Sequence, residues 1–172
     1  VGGSTGDLAA ATSADFADDA EAALRYLQGR ADIDGQQIGM MGHSEGGILA
    51  AMVAARNPDV SFVISMAGTA VDGYQTILKQ VERLALASGV SQTEADIAVV
   101  QQREVLELAM NQDWTGLETT LNQIAQDQAA AMTDEQRAAL GDVGALVKQQ
   151  IAAQLQIFQS PWYQFFMRHD PG

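Results

Sequence analysis

The chain is expected to be an α/β protein, with alternating helices and strands in its first third and a long helical stretch after them. Three observations lead there. Two apolar runs, at 38–41 and 60–66, are short and bounded by turn residues, as strands of a buried parallel sheet are. A glycine-rich turn, Gly42-His43-Ser44-Glu45-Gly46-Gly47, joins the first run to a helical pattern ending near Arg56. From 74 to 159 no strand-like run longer than a few residues occurs, while helix start signals repeat.

Taken in order, Thr12 and Asp15 make a capping-box start for a helix running to about Gln28. Phe16, Ala20, Ala23, Leu24 and Leu27 recur on one face, and Asp15, Asp18, Asp19 and Glu21 crowd the first turns, where the helix dipole favours acids. Gly29 ends that helix, and Asp32-Ile33-Asp34-Gly35 is a turn. Calcium binding there would need further ligands at set spacing, including a distal Glu, and they are absent. The strand at 38–41, the helix at 46–56 and the strand at 60–66 follow, with Asn57-Pro58-Asp59 as the helix stop. Parallel strands joined by a helix should cross over right-handed.

The composition then turns helical. Helices are expected over about 74–88, from the Ser91/Glu94 capping box to about Gln112, over 114–131, and from the Thr133/Gln136 box to about Gln159, with Gly141 and Gly144 as weak points in that last one. Ser160 caps a short helix with Pro161 in its first position. The stripes Ile77, Val81, Leu84; Ile97, Val100, Val105; and Leu146, Ile151, Leu155, Phe158 read as core, and the many glutamines as polar faces. The expected organisation is a core over 1–73, an inserted helical cap over 74–159 and a return segment over 160–172.

The turn at 42–47 carries the chemistry. Glycine, serine and glycine in a G-x-S-x-G pattern, between a strand and a helix, describe a nucleophile elbow. The bare pattern arises by chance in about one chain of this length in twenty; the flanking strand, helix and Gly47 make it more specific. Ser44 at the apex is expected in a strained backbone conformation. Gly42 and Gly46 are expected to let strand and helix pass closely. The Ser44 hydroxyl is the candidate nucleophile, and the Glu45 backbone N–H the candidate oxyanion donor. The Glu45 side chain is read as structural, held by a neighbour outside the chain. A phosphate-binding loop is excluded, because no Lys follows the glycines.

The block 38–47, with Phe62-Val63-Ile64-Ser65-Met66-Ala67-Gly68 after it, resembles the middle of an α/β-hydrolase. It is similar to bacterial serine carboxylesterases that carry a helical cap, relatives of the prolyl-oligopeptidase and dienelactone-hydrolase branches. Val1-Gly2-Gly3-Ser4-Thr5-Gly6 resembles the tail of that family's Arg-Gly-x-Gly-x-Ser loop. Ser160-Pro161-Trp162-Tyr163-Gln164-Phe165-Phe166 resembles the segment before the strand that leads to the catalytic acid. The resemblance implies a partial α/β-hydrolase core of two parallel strands with flanking helices, plus a mostly helical cap. It also implies a serine hydrolase of small carboxylic esters that works through an acyl-enzyme without metal or organic cofactor.

In such enzymes the chain order is Ser, acid, His. The acid and histidine would then fall beyond Gly172, and the chain would be an internal fragment, inactive alone. His43 and His169 are poor substitutes. His43 adjoins Ser44, and strand neighbours point to opposite faces. His169 is expected at the surface. Trp162 and Phe165 either wall the acyl pocket or pack cap against core. Acyl peptidase and thioesterase are alternatives on the same fold, and a non-catalytic helical interaction module is an alternative of another class.

Composition narrows the partners. A net charge of −13 over 172 residues argues against nucleic acid and anionic membrane surfaces. There is no cysteine, hence no disulfide framework or thiolate metal site. No apolar run approaches the roughly 20 residues of a membrane span. Two strands have exposed edges on both sides, which favours self-association or a complementary chain, with helices covering the strands as the other outcome.

Overall fold

A computed structural model describes Gly3 and residues 5–171. The order of elements is α1 (Ser13–Gln28), β1 (Met40–His43), α2 (Glu45–Arg56), β2 (Val63–Met66), α3 (Gly73–Ala87), α4 (Gln92–Met110), α5 (Trp114–Ala131), α6 (Asp134–Leu140), α7 (Val143–Gln159) and α8 (Pro161–Arg168). The protein is therefore α/β: mostly helical, with one two-stranded parallel sheet among the described residues. It divides into two compact units. The first comprises the described residues of Val1–Thr76 and Phe165–Gly172, the second Ile77–Gln164.

In the first unit, the Thr12 N–H donates to the Asp15 carboxylate at 2.7 Å, closing the capping box that starts α1. The Thr12 hydroxyl and N–H together hold the Asp15 carboxyl below its ordinary pKa. The buried face of α1 (Ala17, Leu24) packs with Val53 of α2 and Ile38 before β1. Polar contacts fix the same pair of helices. Buried Glu21 receives Arg56 Nε at 2.9 Å and the Asn57 amide at 3.1 Å, and it pairs with Arg25 one turn on. Asp32 and Asp34 serve their own turn: Asp32 pairs with Arg30 and Asp34 accepts from the Gln36 N–H.

β1 and β2 run parallel, with Met40 opposite Val63 and His43 opposite Met66. The ladder starts just before the strands, where the Ser61 N–H reaches the Ile38 carbonyl at 2.9 Å. The second strand departs from expectation. Its run reads as doubly buried, yet every residue of β2 is exposed. β1 is its one partner strand among the described residues, and contacts to α2 do not cover both of its faces.

In the second unit, the Ser91/Glu94 and Thr133/Gln136 capping boxes both form. Ala95, Leu106, Ala109 and Leu117 are the most deeply buried apolar residues there. The single long helix expected after Thr133 is two helices. Gly141 adopts φ 72° and ends α6, and Asp142 caps α7 by accepting from the Ala145 N–H at 3.0 Å. Glycine tolerates that left-handed backbone, whereas a helix interior gains little from it. The apolar stripes divide as well: Val105, Ile151 and Phe158 are buried, while Leu84, Ile97, Val100 and Leu146 are exposed.

Candidate functional site

The turn between β1 and α2 is a single residue long. Ser44 lies between His43, the last residue of the strand, and Glu45, the first of the helix. Its backbone takes φ 55° and ψ −122°, a region that non-glycine residues rarely occupy and that costs on the order of 1–3 kcal/mol. Neighbours on both sides hold it there. The Ser44 N–H donates to the Met66 carbonyl at 2.9 Å, and the Ser44 carbonyl accepts from the Gly47 N–H at 3.0 Å. One bond ties the residue to β2 and the other to the first turn of α2. The side chain is exposed, and its hydroxyl makes no capping bond to the helix it precedes.

Glycines set the closeness of the turn, though not the pair expected. A Cβ on Gly42 would fall inside the Gly46 carbonyl group and 2.7 Å from the Gly47 nitrogen, all of it backbone that cannot swing aside. A Cβ on Gly46 would meet nothing within 4 Å. It is the Gly46 main chain that approaches the strand, and its Cα–H points outward. The second restricted position is Gly47, where a Cβ would lie 2.5 Å from Ser65 Oγ and 2.9 Å from Gly68 Cα. Gly68 is restricted in return, its Cβ position being 3.0 Å from Gly47 Cα. Strand β2 and the turn after it thus abut α2 through Ser65 and Gly68, residues that sequence spacing does not connect to the Ser44 turn.

Glu45 is also placed differently from expectation. Its carboxylate accepts from the buried Ser13 hydroxyl at 2.6 Å, so a partner lies within the chain, at the start of α1. That bond links the first turns of α1 and α2. No local pattern marks it, since 32 residues separate the pair. Ala67, directly after β2, repeats the positive φ of Ser44, at 52°. Both strained residues follow the carboxyl ends of parallel strands, where open α/β sheets place their ligands.

The histidines do not join Ser44. His43 is exposed on β1 opposite Met66. His169 lies beyond α8 with its ring stacked on Phe165, centroids 5.3 Å apart at 15°. Among the described residues no hydrogen bond connects either ring to the Ser44 hydroxyl. Trp162 and Phe165 lie on the same short helix but in different units. Trp162 sets its ring edge against Tyr163 at 6.0 Å. Of the opening segment 1–6, Val1, Gly2 and Ser4 lie outside the described residues, as does Gly172 at the other end. Among the described residues no group of three or more His, Asp or Glu side chains could hold a metal ion, and no helix is long and apolar enough to cross a membrane.

Chemically, the turn presents a hydroxyl on a rigid support, beside the amino end of a helix whose first N–H groups point toward incoming negative charge. A family model described as "BAAT / Acyl-CoA thioester hydrolase C terminal" matches residues 20–136, a span that includes β1, the Ser44 turn and β2. No curated protein matches the chain. No solved structure matches it either.

Proposed function

The chain belongs to the BAAT / acyl-CoA thioester hydrolase C-terminal family, a hydrolase family of the α/β type, and on that premise we propose that Ser44 is the nucleophile of an acyl-ester or acyl-thioester hydrolase. The observation that supports this most is the strained, exposed serine between strand and helix, held by the Met66 carbonyl and the Gly47 N–H.

In this reading Ser44 Oγ attacks the acyl carbonyl and passes its proton to a general base. The Glu45 N–H, at the start of α2, donates to the developing oxyanion. The alcohol or thiol leaves with a proton. Water, deprotonated by the same base, then releases the acid and restores the serine. The base is proposed to be neither His43, the last residue of β1, opposite Met66, nor His169, whose ring stacks on Phe165. Residues 1–172 alone are therefore proposed to turn over slowly or not at all. The segment 74–159 is proposed to act as a cap over a core of residues 1–73, with 160–172 as the return and Trp162 and Phe165 as candidate acyl contacts. The open edges of β1 and β2 are proposed to take up strands from a second copy or a complementary chain. No cofactor enters the scheme. The family match favours a thioester over the oxygen ester expected from sequence.

A fluorophosphonate probe tests the nucleophile. Covalent labelling at Ser44, lost in Ser44→Ala, is the expected result. Labelling elsewhere, or none under conditions that label a control serine hydrolase, removes the catalytic reading and leaves a non-catalytic helical module. Comparing acyl-CoA with p-nitrophenyl ester turnover, in the active assembly, separates thioesterase from esterase.

A further inference from the structure

The second unit contains a cavity of about 600 Å³ among helices α3 to α8, within the range that holds small ligands. Its floor is buried and apolar: Val105, Leu121, Ile151 and Phe158. Its exposed rim carries Gln101 and Gln150. No Lys, Arg, His, Asp or Glu lines it. The one ionisable lining group is the Tyr163 phenol, whose pKa burial pushes up to about 12, so it stays neutral across the physiological range.

We propose that this cavity is a binding site for the hydrocarbon chain of an acyl compound whose head group is an uncharged carbonyl, an amide or an ester, seated at the glutamine rim. The chemistry of the wall selects that class. An aliphatic chain recovers the dispersion contacts and water release that an unfilled apolar pocket forfeits. Glutamine side chains both donate and accept, which matches a neutral carbonyl head. A free carboxylate finds no cation in the wall, and a net charge of −13 repels it further. A phosphate-bearing head is disfavoured on the same grounds. The cavity lies wholly within the second unit, and the binding is independent of whether Ser44 is catalytic.

The test uses ligands that share one chain and resist hydrolysis. N-phenyl-1-naphthylamine, an uncharged fluorescent reporter, is bound to the full chain and displaced by N-decanoylethanolamine or by decanoate at pH 8, each below its micellar concentration. The amide is expected to displace the reporter at about tenfold lower concentration than the acid. Ala125→Trp and Ala98→Phe, which fill the cavity from two helices, are expected to abolish binding with helicity unchanged. Should either variant unfold, methyl NMR of the wild-type protein decides: amide-induced shifts are expected at Val105, Leu121 and Ile151. Failure of the amide to displace, equal potency of decanoate, binding that survives both folded variants, or shifts confined to other methyls each overturns the proposal.

Discussion

Replacing Gly42 by alanine tests how closely β1 and α2 approach at the Ser44 turn. The added methyl would overlap the Gly46 carbonyl and lie 2.7 Å from the Gly47 nitrogen, so the strand and the helix must separate. Overpacking against side chains costs about 1–3 kcal/mol, and backbone neighbours place this case at the upper end, about 3 kcal/mol. Separation also strains the bonds that hold the strand to β2, in which the Met40 and Ser44 N–H groups donate to the Phe62 and Met66 carbonyls, each at 2.9 Å. Both tryptophans, Trp114 and Trp162, lie in the second unit, so their fluorescence does not report on this region. Amide hydrogen exchange at Met40 and Ser44 does. At 1.4 kcal/mol per tenfold, protection there should fall about 150-fold. Gly46→Ala is the control: its methyl meets nothing within 4 Å and alanine favours helix, so protection should hold or rise slightly. Protection within about threefold of wild type in Gly42→Ala would refute the close approach, as would equal damage from Gly46→Ala.

Two further outcomes follow from the same geometry. Ser44→Gly removes both the hydroxyl and the positive-φ strain, so it should be more stable than Ser44→Ala by about 1 kcal/mol in the same exchange measurement; the reverse order would show that the turn stores no strain. Tyr163 has its folded-state pKa raised to about 12 from an ordinary value near 10. Its contribution is complete below about pH 10 and lost as pH rises toward 12, by up to about 2–3 kcal/mol. Urea unfolding followed by tryptophan fluorescence should show a midpoint that falls between pH 10 and 12 in the wild type and falls less in Tyr163→Phe; parallel decline in both would exclude this burial as the cause.

What the amino-acid sequence determined by itself is local. The three capping boxes, at Thr12/Asp15, Ser91/Glu94 and Thr133/Gln136, were legible because each bond spans three residues and needs no other part of the chain. Helix α5 spans the residues expected of it, and α8 starts at Pro161, directly after the expected Ser160 cap. The strand–serine–helix turn is legible for the same reason: its glycines and serine are adjacent, and the flanking patterns are short. Tertiary structure decided what depends on direction and distance. Gly46 and Gly47 look equivalent in the sequence, yet the helix's orientation against β2 leaves one open and presses the other onto Ser65 and Gly68. The Ser13–Glu45 bond joins helices whose relation no spacing encodes. Gly141, read as a weak point in one helix, takes φ 72° and divides it in two. The apolar run of β2 marks a strand but not its burial, because burial belongs to whatever packs on its faces. The uncharged cavity likewise exists only where residues from six helices converge, since a helical period tells which side of a helix is apolar and not whether neighbours fill the space beside it.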